Sequence, residues 1–371
     1  MRSIFPRALL AAIAALPAGV MAEWRSDWQF NLPVGVSDIS REVHDLHVAI
    51  LWVVTLIGVV VFGAMIVSII KHRKSKGVTP AKFHESTTVE IIWTIIPFLI
   101  LVGMAIPAAK TLVAMENSAD AEMTIKITGY QWKWQYEYIE DGVKFFSSLS
   151  TPRAQILGDQ PPEGNYLLEV DNPLVVPVGK KVRFLLTSND VIHAWWVPQL
   201  AIKKDAIPGF INEMWTKIDE PGTYRGQCAE LCGKDHGFMP IVVKAVPEAE
   251  YAAWIEQQQG AQAMEVAAVS QTWDKEALMG RGEKVYAGNC AACHQPNGQG
   301  LPGVFPAIAG SPVATGPIDG HLNVVLNGRA GTAMRAFKDQ LSAVDIAAVI
   351  TYQRNAFGND TGDVVQPSDV K

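Results

Sequence analysis

Two apolar stretches, residues 49–70 and 90–109, constrain this chain before anything else does. Each approaches the roughly 20 residues that a helical bilayer crossing needs. The first carries no charge, and the second has Glu90 only at its leading edge. A buried helix of a soluble protein is the alternative, and the pairing of two such runs argues against it. The loop between them holds Lys71, Arg73, Lys74, Lys76 and Lys82 against a single acid, Glu85. Basic loops stay in the cytoplasm, so the pattern predicts a transmembrane hairpin with everything after Lys110 on the periplasmic or outer side. Ahead of it, residues 1–22 read as a signal peptide. Arg2 and Arg7 precede an apolar run too short to span comfortably, and residues 20–22 end like a cleavage site. The N-terminal segment and hairpin together occupy residues 23–110.

With 371 residues, the chain has room for two exported domains beyond the hairpin. From residue 121 the pattern changes to short β-branched and aromatic runs at 124–128, 166–170, 182–186 and 241–246. Turn signals at Asp141 and Gly142, Pro177 and Gly179, and Pro221 and Gly222 separate them, predicting a β-sandwich or barrel over residues 111–247. Residues 248–273 are rich in Ala, Gln and Glu and read as a helical or flexible linker. Helix-like segments at 275–287 and 342–354 then flank Gly- and Pro-rich loops, and the polar segment 358–371 is expected to be a flexible tail. The net charge of −6 argues against nucleic acid as a partner and suits a basic protein.

The four cysteines fall into two close pairs, which suits metal or haem attachment better than a scattered disulfide framework. The first pair lies in GQCAELCGKDHGFM, residues 226–239, which places Cys228, Cys232, His236 and Met239 within twelve residues. His193, 35 residues upstream of Cys228, is one more candidate ligand beside a predicted strand. Thiolate, imidazole and thioether together favour copper over hard cations. Two thiolates are each able to bridge two copper ions, leaving one imidazole for each metal and Met239 with a backbone carbonyl for the weaker positions. A disulfide formed after export and a structural zinc site are the alternatives; neither accounts for Met239.

Around this loop the chain resembles subunit II of haem–copper cytochrome c oxidases. The motifs are DVIHAWWVPQL at 190–200, KDAIPG at 204–209, the copper loop running into MPIV at 239–242, GYQWKWQYEY at 129–138 and VEIIWTIIP at 89–97. The resemblance spans about residues 30–247 and implies a cupredoxin-like domain with a dinuclear CuA centre. It places His193, Cys228, Cys232, His236 and Met239 as ligands. Glu230 would supply its carbonyl to copper and its side chain to a magnesium ion shared with subunit I. It makes Trp132 the electron entry point and Glu90 a proton-pathway carboxylate, although Thr87-x-x-Glu90 also reads as a capping box. Relatives that oxidise quinol lack the copper ligands, so cytochrome c is the implied donor.

The second pair lies in CAACH, residues 290–294, the attachment signature of c-type haem. Cys290 and Cys293 would form the thioethers and His294 would take the iron. Met334 is the one methionine after the motif and the expected sixth ligand; its rival His321 sits in a helical pattern that suggests a surface role. His/Met ligation favours electron transfer over oxygen binding. Residues 274–357 resemble a class I cytochrome c, with Gly282 and Tyr286 on the first helix expected to meet the last helix around Tyr352.

Taken together these features predict a multidomain membrane protein: a two-helix hairpin, an all-β cupredoxin-like sandwich and an all-α cytochrome c domain. The implied function is electron transfer from a soluble or membrane cytochrome c, through covalent haem c and CuA, to haem a of subunit I. Oxygen would be reduced to water there, at haem a3 and CuB, with proton translocation. Subunit III is a further implied partner, and the bacterial inner membrane is the implied location. The alternatives are an electron-input subunit of a CuA-containing nitric oxide reductase, or a free-standing membrane redox carrier.

Overall fold

The structure is a computed structural model that describes residues 31–79, 82 and 84–370. The expected signal peptide lies outside the described residues. The chain divides into two compact units, Met1–Tyr251 and Ala252–Lys371.

In the first unit two long helices precede the sheets: α1 (Asp38–His72) and α2 (Thr87–Glu116). Both extend past the apolar stretches that announce them, and at 1.5 Å per residue α1 is roughly 52 Å long. That exceeds the roughly 30 Å hydrocarbon core, so its first turns stand clear of the bilayer. Those turns are polar and tightly capped. The Ser40 amide donates to the Ser37 hydroxyl at 3.1 Å, and the Ser37 amide donates back to the Ser40 hydroxyl at 2.9 Å. A Cβ on Gly35 would collide with the Ser40 side chain, so the chain can enter the helix this closely only through glycine. Arg41 reaches Asp219 at 2.5 Å. Lys204 pairs with Glu116 at 2.8 Å, and the Trp215 indole donates to the Ala114 carbonyl at 3.3 Å. The upper ends of both helices are thus tied to the sheets.

The sandwich has ten strands: β1 (Met123–Tyr130), β2 (Lys133–Tyr138), β3 (Val143–Ser147), β4 (Leu174–Pro177), β5 (Lys181–Ser188), β6 (His193–Val197), β7 (Ile202–Ala206), β8 (Asn212–Lys217), β9 (Gly222–Cys228) and β10 (Pro240–Val246). They form two five-stranded sheets, in the orders β3-β2-β1-β5-β8 and β4-β10-β9-β6-β7. The β1–β5 and β4–β10 pairs are parallel and the others antiparallel. Strand β5 alternates cleanly, burying Val182, Phe184 and Leu186, as a strand with one core face should. Trp134, Tyr136, Tyr138 and Trp195 are fully buried, and their polar tips are satisfied. The Trp195 indole donates to the Tyr136 hydroxyl at 3.3 Å, and the Tyr138 hydroxyl donates to the Val175 carbonyl at 2.7 Å. The run at 166–170, expected as a strand, forms only a single bridge, Leu149 to Val170. Leu167 takes a left-handed conformation (φ 60°), which interrupts any extended run there. A short helix, α3 (Arg153–Leu157), lies in the same excursion between β3 and β4.

Residues 248–268 of the expected linker form a helix, α4 (Glu248–Ala268). The second unit continues with α5 (Lys275–Asn289), α6 (Ala291–His294), α7 (Pro312–Thr315), α8 (Ile318–Asn327) and α9 (Ala343–Asn355). Helices α5 and α9 pack closely at Gly282, where a Cβ would lie 2.1 Å from the Ala348 carbonyl oxygen. Tyr286 meets Tyr352 at a ring separation of 5.7 Å and Phe357 at 4.9 Å. The segment after residue 357, expected to be flexible, is packed instead. Val365 is 1% exposed, its amide accepted by the Thr351 hydroxyl at 3.0 Å. Buried Arg354 holds Asp363, and the Gln366 side chain bonds both the amide and the carbonyl of Trp273 at 2.9 and 3.0 Å. Polar side chains in this tail serve as fasteners, which composition alone does not distinguish from solvation.

Candidate functional site

His193 opens β6 and Cys228 closes β9, and these strands pair with Trp195 opposite Cys228. The loop from β9 to β10 carries the remaining thiol, imidazole and thioether. Cys228 Sγ lies 3.9 Å from His193 Nδ1, 3.8 Å from Cys232 Sγ and 3.4 Å from the Glu230 carbonyl oxygen. Cys232 Sγ lies 3.4 Å from His236 Nδ1 and 3.6 Å from Met239 Sδ. The sequence-predicted donors therefore come together, with one imidazole beside each sulfur. Both cysteines are free thiols, and their separation is far beyond the ~2.05 Å of a disulfide. Met239 is 1% exposed and within reach of Cys232, so the thioether belongs to the cluster. A four-coordinate zinc site would leave it unused.

Residues that sequence reasoning gave no role hold these donors in place. Asp190 Oδ1 lies 2.9 Å from His193 Nε2, which aims Nδ1 at the thiols. Asp190 Oδ2 accepts the Gln131 backbone amide at 2.8 Å, and the Gln131 side-chain amide donates to the Cys232 carbonyl at 2.9 Å. Gly129 gives the imidazole its space, since a Cβ there would come within 2.7 Å of the His193 ring. A carboxylate three residues before a candidate ligand was the one available signal for Asp190; nothing local marks Gln131 or Gly129.

The electrostatics follow from burial and close charges. Burial alone would lower the pKa of His193, but Asp190 and Cys228 outweigh it and the net shift is upward. Burial pushes Asp190 up, and the bonds from His193 and the Gln131 and Val191 amides bring it below its ordinary value. The Cys228 thiol is pulled down by its contact with Cys232, whose own ionisation that contact then opposes. Two thiolates this close repel each other, and bound cations would neutralise both.

Trp132 sits half-buried beside the cluster, its indole donating to the Cys232 carbonyl at 3.2 Å. Trp134 donates to the Met239 carbonyl at 3.3 Å and meets the His193 ring edge-on at 5.8 Å. Glu90 is elsewhere, in the first turn of α2, where Oε1 accepts the Ser86 amide at 3.3 Å. The N-cap is Ser86 rather than Thr87, so the carboxylate acts one residue earlier than the capping-box spacing suggests.

In the second unit, Cys290, Cys293, His294 and Met334 all line one cavity of about 290 Å³, walled mostly by apolar side chains. His294 Nδ1 lies 2.8 Å from the Pro306 carbonyl oxygen. A carbonyl only accepts, so Nδ1 carries the proton and Nε2 keeps a lone pair for a metal. Gly328 (φ 69°) lets the segment carrying Met334 fold back, because a Cβ there would lie 2.6 Å from the Met334 carbonyl oxygen. Thiols, a ligand-competent imidazole and a thioether around one apolar cavity fit a covalently held haem. His321, expected at the surface, is instead 4% exposed and lines the same cavity.

Three family matches tile the chain. Residues 25–111 match "Cytochrome C oxidase subunit II, transmembrane domain", residues 123–246 match "Cytochrome C oxidase subunit II, periplasmic domain", and residues 277–352 match "Cytochrome C oxidase, cbb3-type, subunit III". A relative from Rickettsia bellii, "Probable cytochrome c oxidase subunit 2", is 40% identical over 62% of this chain and 83% of its own. The mitochondrial cytochrome c oxidase subunit 2 of Vigna unguiculata is 38% identical over 68% of each chain. Among solved structures, the periplasmic domain of cytochrome oxidase subunit II from Bradyrhizobium japonicum is 44% identical, covering 39% of this chain and 98% of that one, with a TM-score of 0.35. The two helices are a membrane anchor, the sandwich is a periplasmic domain, and the chain belongs to the cytochrome c oxidase subunit II family with a cytochrome c domain fused at its C-terminal end.

Proposed function

We propose that this subunit carries electrons from cytochrome c into the oxidase through two centres, a dinuclear copper site in the sandwich and a covalent haem c in the second unit. The observation that carries this reading is the pair of free thiols 3.8 Å apart, each with its own imidazole within 3.9 Å. When bound, the haem and the copper pair supply the one-electron carriers that link a soluble or membrane cytochrome c to haem a of subunit I. The chain supplies everything else. His193, Cys228, Cys232, His236, Met239 and the Glu230 carbonyl would hold copper, and the Glu230 side chain is left for a magnesium ion shared with subunit I. Cys290 and Cys293 would tether the haem, and His294 and Met334 would supply ligands to its iron. Trp132, bonded to the Cys232 carbonyl, is the entry point for electrons at the copper loop. Glu90, at the cytoplasmic mouth of α2, is the candidate for proton entry. Residues 23–110 form the anchor, 111–247 the copper domain, 248–273 the connection, and the haem domain begins at 274. Oxygen reduction at haem a3 and CuB belongs to subunit I, with subunit III as a further partner, all in a bacterial inner membrane.

Met239 tests the ligand set. Its sulfur lies 3.6 Å from Cys232 Sγ, so Met239→Leu should retain copper while moving the midpoint potential, because a weak ligand mainly tunes redox. Loss of copper from this variant, or an unmoved potential in a redox titration, would remove Met239 from the site.

Orientation is tested by reporters. Fusions at Lys76 should be active only as cytoplasmic reporters, and fusions beyond Glu116 only as periplasmic ones, given the basic loop between α1 and α2. The opposite pattern would place both centres on the wrong side of the membrane.

A further inference from the structure

Among the described residues the haem cavity holds two buried polar side chains with no part in the ligand set. His321 on α8 and Gln353 on α9 are each 4% exposed, and both line the cavity with Cys290. His321 Nε2 lies 2.7 Å from Gln353 Oε1, and Gln353 Nε2 lies 3.7 Å from Cys290 Sγ. His321 Nδ1 is buried with no hydrogen-bond partner. A buried nitrogen left in this state is costly, and leucine would fill the same place without that cost. The histidine therefore needs a function that leucine could not perform.

We propose that His321 is a positioning residue for the haem edge: it turns the Gln353 amide so that an N–H, and not the carbonyl oxygen, faces the Cys290 sulfur. The inference rests on the reading that haem is attached at Cys290. Burial lowers the His321 pKa to about 4, with the charge of Arg354 acting in the same direction and the Gln353 bond against it. The ring is thus neutral at physiological pH and has one N–H. Gln353 turns Oε1 to the ring, and because that oxygen only accepts, the proton is on Nε2. The other end must then present its N–H to sulfur. Without the imidazole, nothing in this arrangement prevents the amide from turning its oxygen towards the thioether.

The consequence is electrostatic. An N–H dipole aimed at the thioether places partial positive charge at the macrocycle edge, in an apolar cavity where screening is weak. Ferric haem carries one more positive charge than ferrous, so the dipole favours the reduced form and raises the potential.

The test is a redox titration of the c-type haem band in the intact purified oxidase, together with covalent haem per chain by pyridine haemochrome. Gln353→Leu should lower the midpoint, corresponding to roughly a threefold or larger fall in the reduction equilibrium constant, about 30 mV for one electron. His321→Leu should lower it in the same direction, and the double variant should match Gln353→Leu alone, because His321 acts only through Gln353. His321→Gln, whose own amide can donate to Gln353, should restore the wild-type value. If His321→Leu fails to retain haem, Gln353→Met against His321→Gln decides: only the former should shift. Additive shifts in the double variant, or a shift with His321→Gln but none with either Gln353 variant, would overturn the proposal. Absence of covalent haem from the wild-type chain would instead defeat the reading on which it rests.

Discussion

Replacing either Cys228 or Cys232 with serine should abolish the dinuclear copper centre while leaving the sandwich folded. Each thiol is the meeting point of a separate half of the site. Cys228 touches His193 and the Glu230 carbonyl, and Cys232 touches His236 and Met239. The two halves meet where the sulfurs approach to 3.8 Å. Removing one sulfur therefore removes the bridge for both metals, and a serine oxygen is a much harder donor than a thiolate. Copper in the purified complex should fall from about two ions per chain to one or none. The copper-dependent visible and EPR signals should disappear, and turnover with cytochrome c should drop by two orders of magnitude or more, because no electron path through the copper domain remains. No disulfide is broken, so the unfolding transition should not show the roughly 2–5 kcal/mol loss that follows removal of a native disulfide. Retention of both coppers in either variant, or zinc in the wild-type protein, would refute the bridged-copper reading.

Removing the second unit tests whether the fused haem is a relay or an accessory. Truncation after Gln259 leaves the anchoring end of α4 in place. Tyr251 still donates to Asp141 at 2.7 Å, and Lys180 still pairs with Glu248 at 2.7 Å, so the copper domain should keep its copper. A tethered donor has an effective concentration on the order of millimolar. If electrons normally arrive through it, oxidation of soluble cytochrome c should fall roughly tenfold or more once it is gone. Undiminished turnover that becomes sensitive to Trp132→Phe would instead show direct entry at the copper loop, with the haem domain dispensable. Copper and subunit I must be quantified in the same preparation, so that a defect in assembly is not read as a defect in transfer.

The features legible in the sequence are those whose physics is local. The membrane hairpin follows from uncharged length and a basic loop, and the copper loop from donor types clustered within twelve residues. The helices at 275–287 and 342–354 read as helix-like segments between Gly- and Pro-rich loops. What was not legible depends on partners far along the chain. His321 reads as a polar position on an amphipathic helix, and its burial requires Gln353, 32 residues later. Gln131 links the His193 and Cys232 arms of the site through Asp190 on one side and a carbonyl 101 residues away on the other. The run at 166–170 has strand composition, but Leu167 in a left-handed conformation overrides it. Likewise the segment after residue 357 has the composition of a loose tail, whereas its polar groups are spent on Arg354, Asn355 and Trp273.

That last segment bears on how the protein is made. The segment after residue 357 closes the second unit: Val365 completes its interior, and Gln366 grips Trp273 near the unit's own beginning. Export proceeds from the N-terminal side, so these fasteners emerge on the far side of the membrane only after the α5–α9 pair that they close. Until they do, the α5–α9 pair lacks its closing strap, and the CAACH segment waits in a looser state. A premature stop removing only the final dozen residues would spare every proposed ligand in the chain, yet should yield a subunit whose haem domain is readily attacked by proteases.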